Sequence, residues 1–113
     1  MEEISFAERV YSLCLMVPAG RVTTYREIAR ALGIEGYQAI GQVLRYNPYA
    51  PLVPCHRVVK KDGSLGGFKG SLCDETVSVK RKLLNEEGVV FNGSRVDLEK
   101  CLFCFPILVE KNI

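Results

Sequence analysis

The sequence predicts a mostly α-helical domain with a short β element. Three observations predict it. Apolar residues recur at spacings of three and four in four separate stretches. Two of those stretches are short and joined by a tight glycine-containing turn. Between the helices lie only brief β-branched runs, Val58-Val59 and Val89-Val90-Phe91, each beside a turn signal.

Each element follows from its residues. Over 4–16, the residues Phe6, Val10, Leu13, Cys14 and Val17 share one helix face. Val17-Pro18-Ala19-Gly20 ends it, because Pro and Gly continue a helix poorly. Arg21-Val22-Thr23-Thr24 is extended, and Thr24 and Glu27 have capping-box spacing. A second helix then runs over 25–32, with Ile28, Ala29 and Leu32 inward and Gly33 as its cap. After Ile34-Glu35-Gly36 comes a third helix over 37–45, with Ile40, Val43 and Leu44 inward. By itself this pair reads as a helix-turn-helix or as the commoner αα-hairpin.

Asn47-Pro48-Tyr49-Ala50-Pro51 stops the third helix, since residues before proline avoid the helical region. Leu52-Val53-Pro54 is apolar and extended, 57–60 forms a short strand, and Lys61-Asp62-Gly63-Ser64 turns the chain. Glycines over 65–72 mark a loop that is mobile or closely approached. A fourth helix over 75–87 turns Val79, Leu83 and Leu84 inward and ends at Gly88. Asn92-Gly93 signals a hairpin, and the tail over 98–109 is apolar.

The length of 113 residues fits one compact domain over 1–113. With 48% hydrophobic and 25% charged residues, the composition excludes a chiefly disordered chain. A net charge of +2 does not by itself indicate nucleic-acid binding. No apolar run approaches the roughly 20 residues of a membrane span, and the acidic start is unlike a secretory signal. The expected location is therefore intracellular, in the cytoplasm, with no membrane partner. Five cysteines in such a chain are expected to be reduced. Cys101-Leu102-Phe103-Cys104 is a single C-x-x-C without the further ligands a zinc site needs. Its apolar surroundings predict two buried thiols and no metal; Cys14 and Cys73 read as core or incidental.

The residues with most chemical promise are Cys55 and His56, the latter the one histidine in the chain. A free thiol is only a few per cent thiolate at neutral pH. An adjacent imidazole can take its proton. Neighbours on a strand point to opposite faces, so the pair cooperates only where the backbone bends. Pro54 favours such a bend or a short helical turn. The alternative is a buried cysteine beside a polar histidine at a strand edge.

Pro54-Cys55-His56-Arg57-Val58-Val59 resembles the acceptor motif of the 6-O-alkylguanine-DNA alkyltransferases. Gly20-Arg21-Val22-Thr23-Thr24-Tyr25 resembles the segment entering that family's helix-turn-helix, and Arg45-Tyr46-Asn47-Pro48 its Arg-x-Asn-Pro stretch. The glycine-rich run over 63–72 resembles its active-site loop, and Glu86-Glu87-Gly88 its Glu-Gly after the last core helix. The resemblance spans about residues 5 to 90 in order.

That resemblance implies a winged helix-turn-helix-like DNA-binding domain and a DNA-repair reaction performed once per molecule. A helix-turn-helix enters the minor groove of duplex DNA and the alkylated guanine is flipped into a pocket. The Cys55 thiolate takes the alkyl group and keeps it. By the same resemblance, His56 takes the thiol proton through a water and Glu87 orients His56. Tyr25 crowds the target phosphate and hydrogen-bonds the flipped base, and Asn47 ties the helix-turn-helix to the active-site turn. Carbonyls of Cys55 and Val58 accept from the guanine amine, and backbone near Lys69 donates to the oxygen losing the alkyl group. Phe68 forms a side wall. Thr24, Arg26, Tyr37, Gln38, Ala39 and Arg45 fall on the DNA-facing segments. No organic cofactor is implied, the partner is double-stranded DNA containing alkylated guanine, and a monomer suffices.

The chain departs from the pattern in places. The family usually carries a small N-terminal domain, whereas this chain starts almost at the first helix of the acceptor domain. The family usually has an arginine where Gln38 stands, filling the place of the flipped base. Gln38 can hydrogen-bond the orphaned cytosine but lacks a guanidinium's charge and stacking. Tyr37 beside it is a candidate wedge. Lys69 replaces a small hydroxyl residue. A second function class, a non-enzymatic protein that binds alkylguanine and recruits other repair, lacks the acceptor cysteine in its known members. A third, a thiol hydrolase on Cys55 and His56, lacks an oxyanion-hole signature.

Overall fold

The chain starts its first helix where two side chains exchange hydrogen bonds with the backbone. Ser5 Oγ accepts from the Glu8 amide at 3.1 Å, and the Glu8 carboxylate accepts from the Ser5 amide at 3.0 Å. This box sets α1 at Phe6–Met16. The computed structural model describes residues 5–49, 52–65 and 74–106, the side chains of 74–76 excepted. The glycine-rich loop from residue 66, with Phe68, Lys69 and Cys73, lies outside the described residues.

Val10, Cys14 and Val17 of the predicted α1 face are buried. Phe6 is not: it sits in the first turn, one turn before the buried stripe begins, and is exposed. Tyr11 packs against the core instead, its hydroxyl donating to the Val43 carbonyl at 3.2 Å.

β1 (Thr23–Thr24) leads directly into α2 (Tyr25–Leu32). Thr24 Oγ1 accepts from the Glu27 amide at 3.0 Å. The Glu27 carboxylate faces Arg30 at 3.6 Å, so α2 carries one half of the predicted box. Gly33 ends α2 at φ 72°, in the left-handed region, and the Ile34 amide reaches back to the Ala29 carbonyl at 3.0 Å. α3 (Gln38–Arg45) follows with Ile40 and Leu44 buried. The helices α1, α2 and α3 pack on one another around Val10, Cys14, Val17, Ile28, Ile40 and Leu44. Each fully buried Val or Ile there contributes roughly 1.5–3 kcal/mol relative to exposure.

Beyond α3 the predicted strand over 57–60 shortens to β2 (Val58–Val59), because a 3₁₀ turn occupies Cys55–Arg57. β2 pairs in parallel with β1, Thr23 opposite Val58 and Thr24 opposite Val59. On the other side of β1, the Val22 amide donates to the Cys101 carbonyl at 2.9 Å, and the Phe103 amide to the Val22 carbonyl at 2.7 Å. The apolar tail thereby closes the second edge of β1.

α4 spans Asp74–Glu86, so Glu87 falls just after it rather than in its last turn. The predicted inward Val79 is 45% exposed, whereas Lys80 is 1% exposed. Leu84 is buried and Leu83 packs against the first cluster, as predicted, but the inward positions before them are half-buried Val77 and buried Lys80 rather than Val79. A helical period fits either stripe, and lysine at the inward position disguised the true one. β3 (Phe91–Asn92) and β4 (Arg95–Val96) form an antiparallel hairpin, which carries the predicted strand two residues further along. α5 (Leu98–Cys101) starts at the Asp97 cap.

Two apolar clusters result. One lies among α1, α2, α3 and the 3₁₀ turn; the other joins Val22, Val59, Leu65, Leu84, Val89, Val96 and Cys101. The short β1–β2 pair is the seam, with Val58 in the first cluster and Val59 in the second. Among the described residues no helix is long and apolar enough to cross a membrane.

Candidate active site and nucleic-acid interface

The 3₁₀ turn solves the geometric problem posed by adjacent Cys and His. The Cys55 amide donates to the Val53 carbonyl at 2.8 Å and the Arg57 amide to the Pro54 carbonyl at 2.9 Å. The backbone therefore curls, and both side chains are drawn inward: Cys55 is 6% exposed and His56 2%. Asn47 braces the approach. Its Nδ2 donates to the Val53 carbonyl at 2.9 Å, and its Oδ1 accepts from the Tyr49 amide at 2.9 Å. One side chain thus links the end of α3 to the residues just before Cys55.

Behind the turn stands Glu87. Its Oε2 lies 2.9 Å from His56 Nε2. Arg57 grips the same carboxylate with two bonds, Nε to Oε1 at 2.9 Å and Nη2 to Oε2 at 2.7 Å, and donates from Nη1 to the Val17 carbonyl at 2.8 Å. Burial works against the charge on Glu87, but the hydrogen bonds from Arg57 and His56 outweigh it and hold its pKa below the ordinary value. For His56 burial is the larger effect, and it pushes the pKa down despite the hydrogen bond to Glu87. His56 is accordingly neutral near pH 7. A carboxylate only accepts, so Nε2 carries the proton and Nδ1 is the basic nitrogen. A neutral imidazole of fixed tautomer is what a proton acceptor for a thiol requires.

Tyr25 opens α2 and packs against the cluster that contains Cys55. Burial, and then the nearby Cys55 and Cys14 thiols, push its pKa up, so its hydroxyl remains a donor. The Cys14 thiol is pushed up to about 12 by burial and by Cys55, which makes it inert.

Thr24 is buried, with its hydroxyl engaged as the α2 cap. Arg26, Tyr37, Gln38, Ala39 and Arg45 are exposed, and Arg45 lies over the Tyr46 ring at 5.6 Å. The structure thus brings Cys55, His56, Glu87, Tyr25 and Asn47 to one turn. It leaves Arg26, Tyr37, Gln38, Ala39 and Arg45 on the open surface of the two short helices. Arg21, just before β1, donates to the Cys101 and Leu102 carbonyls at 3.3 and 2.9 Å. Cys101 is buried but Cys104 is exposed, so the expected pair of buried thiols is not formed; the chain leaves α5 after Cys101 and turns Cys104 outward.

Two residues were missed by the sequence reading. Arg57 lies inside the motif but was given no role, and it clamps Glu87. Lys80 is buried, its Nζ donating to the Val58 carbonyl at 2.8 Å and to the Leu65 carbonyl at 2.6 Å. A lysine flanked by apolar residues at helical spacing was the available signal.

The chain is similar to known proteins. The model of the family described as 6-O-methylguanine DNA methyltransferase, DNA binding domain, matches residues 5–89. A methylated-DNA–protein-cysteine methyltransferase of Candida glabrata is 41% identical over 97 residues, covering 85% of this chain and 44% of that protein. The chain spans about half the length of most curated relatives it matches. Among solved structures, Mycobacterium tuberculosis OGT in complex with DNA aligns at TM-score 0.66 and 35% identity, covering 77% of this chain and 52% of that one. Schizosaccharomyces pombe Atl1, solved with damaged DNA containing O6-carboxymethylguanine, aligns at TM-score 0.72 and 29% identity, covering 91% of this chain and 98% of that one. With its fold, its acceptor-like turn and a family match over most of its length, the chain belongs to the 6-O-methylguanine DNA methyltransferase family, in the part that forms the DNA-binding domain.

Proposed function

We propose that this chain repairs duplex DNA by moving an alkyl group, a methyl in the simplest case, from O6 of guanine to its own Cys55. One observation carries the reading: Cys55 is presented by a 3₁₀ turn whose next residue, His56, is held neutral and oriented by Glu87. His56 Nδ1 accepts the thiol proton through a water. The sulfur then attacks the alkyl carbon, a C–S bond forms, and the C–O bond breaks with its electron pair going to the oxygen. The relayed proton neutralises the departing guanine. The thioether formed on Cys55 has no further route, so each molecule acts once.

In this reading the whole of residues 1–113 serves as a single acceptor and DNA-binding domain. It works as a monomer within the cell, needs no cofactor, and extrudes the base because the alkylated oxygen is otherwise buried in the stack. Tyr25 donates to the flipped base, Asn47 holds the turn, and the Cys55 and Val58 carbonyls receive the guanine amine. Phe68 and Lys69 complete the pocket from the glycine-rich loop. Arg26, Arg45, Tyr37, Gln38 and Ala39 face the groove at the two short helices, with Thr24 supporting them as the α2 cap. Phosphate contacts there make binding fall as salt rises.

A second reading rests on the likeness in fold to Atl1, 98% of which is matched. In it the protein binds and flips the lesion and transfers nothing. An intact-mass measurement separates the two. After incubation with duplex DNA bearing 6-O-methylguanine, the first reading expects one methyl group added at Cys55, absent in Cys55→Ala. Tight binding with unchanged mass overturns it in favour of the second.

A further inference from the structure

Lysine is among the residues least often buried, and a buried ammonium without strong hydrogen bonding is expensive. Lys80 is nonetheless among the most deeply buried side chains of this molecule. It leaves α4 and crosses the second apolar cluster. Its Nζ donates to two main-chain carbonyls far apart in sequence, Val58 on β2 and Leu65 where the glycine-rich segment begins. Burial lowers its pKa to about 8 against the opposing pull of Cys55, with Lys60 a further lowering influence. A methionine or leucine would fill the same space without that desolvation cost. What the lysine adds is a pair of short, directional bonds on two chosen carbonyls.

The Val58 carbonyl follows directly on the reacting turn. Val58 caps the 3₁₀ turn, its amide donating to the Cys55 carbonyl, and Leu65 follows the turn at Lys61–Ser64 that leaves β2. We infer that Lys80 is a positioning and specificity-determining residue: it fixes the direction of the Val58 carbonyl so that this oxygen selects a base bearing an exocyclic 2-amine. The inference rests on the proposed alkyl transfer. A carbonyl oxygen offers two lone pairs. The ammonium engages this oxygen in one direction, and in the proposed reaction the other is left for the guanine amine. Lys80 touches no substrate atom and acts through Val58.

The test compares two lesions that differ only in that amine, 6-O-methylguanine and 6-O-methylhypoxanthine, in the same duplex. Methyl transfer to Cys55 is timed by intact mass for the native protein, Lys80→Met and Lys80→Gln. The native protein should repair the guanine lesion about tenfold faster, the worth of one well-placed hydrogen bond. Lys80→Met keeps a similar length but has no donor, and should bring the ratio of the two rates to about one. A fall in folded fraction scales both rates together and leaves that ratio untouched, so mere destabilisation does not mimic the result. Lys80→Gln, shorter but still a donor, gives the reading if the Met variant does not fold, and should show a ratio between the two. A native-like ratio in a folded variant overturns the inference, as does a native protein that repairs both lesions equally. A native protein that methylates on neither substrate overturns the alkyl-transfer reading itself, a distinct outcome.

Discussion

Arg57 holds Glu87 by both carboxylate oxygens, at 2.9 and 2.7 Å, while one of those oxygens also meets His56 at 2.9 Å. The carboxylate is thus aimed by the guanidinium before it aims the imidazole. Replacing Arg57 by Lys keeps the charge but loses the paired planar fork. We expect Arg57→Lys to lower stability by roughly 2 kcal/mol and to slow methyl transfer about tenfold. Thermal unfolding and single-turnover mass kinetics check the two parts. A native transfer rate would mean that Glu87 needs no such brace.

Acidification should weaken the fold in two stages. His56 has a folded pKa below its ordinary value, so it binds fewer protons folded than unfolded; stability is full above pH of about 6.5 and declines below it. Glu87 has a depressed folded pKa, so its contribution is present above the ordinary carboxylate range and is lost as pH falls through the folded value. Lys80 has the same sign at the alkaline end: between about 8 and 10.5 the fold gains stability as pH rises. Urea titrations across pH should show the native slope between pH 6.5 and the carboxylate range flattened in His56→Asn. An unchanged slope removes His56 as its source.

The transfer rate should follow His56 as well. Protonated His56 cannot accept the thiol proton, so the rate falls on the acid side as the imidazole charges. Glu87→Gln removes the influences that raise the His56 pKa, so its acid limb should move to lower pH while the maximum rate drops about tenfold. A limb that moves to higher pH contradicts the assignment.

Gly63 sits at φ 88°, and a Cβ there would lie 2.6 Å from the Val96 carbonyl oxygen. Gly63→Ala therefore meets both backbone strain and a clash with main chain. We expect a loss of about 2–3 kcal/mol, read as a lower denaturation midpoint. An alanine variant as stable as the native chain would show that the hairpin can shift aside.

At the groove-facing helix, Gln38→Arg should raise the transfer rate on duplex DNA by supplying a planar cation to the opened stack. The same change should leave transfer from a free alkylated base unaltered. No gain on duplex DNA would assign that task to Gln38 as it stands, or to Tyr37.

The helices were legible because their apolar spacing, Thr24, Gly33 and the prolines after α3 act locally. The Cys55–His56–Glu87 grouping was legible only through a resemblance, since a carboxylate 31 residues from the histidine leaves no periodic trace. The Ser5–Glu8 cap was in plain view and overlooked. Lys80 was hidden for a physical reason: a pattern reading assigns lysine to solvent, and only the two carbonyls it meets reveal otherwise. Val79 was misplaced by the same error. The pairing of Val22 with the tail had no local signature at all.

That last pairing bears on how the protein is made. The family match ends at residue 89, yet the amide of Phe103 and the carbonyl of Cys101 complete the edge of β1 at Val22, and Phe105 is buried in the first cluster. A nascent chain emerging from the ribosome therefore carries an unfinished strand edge until residues 101–105 are out. The candidate acceptor turn precedes residue 60, but resistance to sticking to other half-made chains waits for residues 101–105.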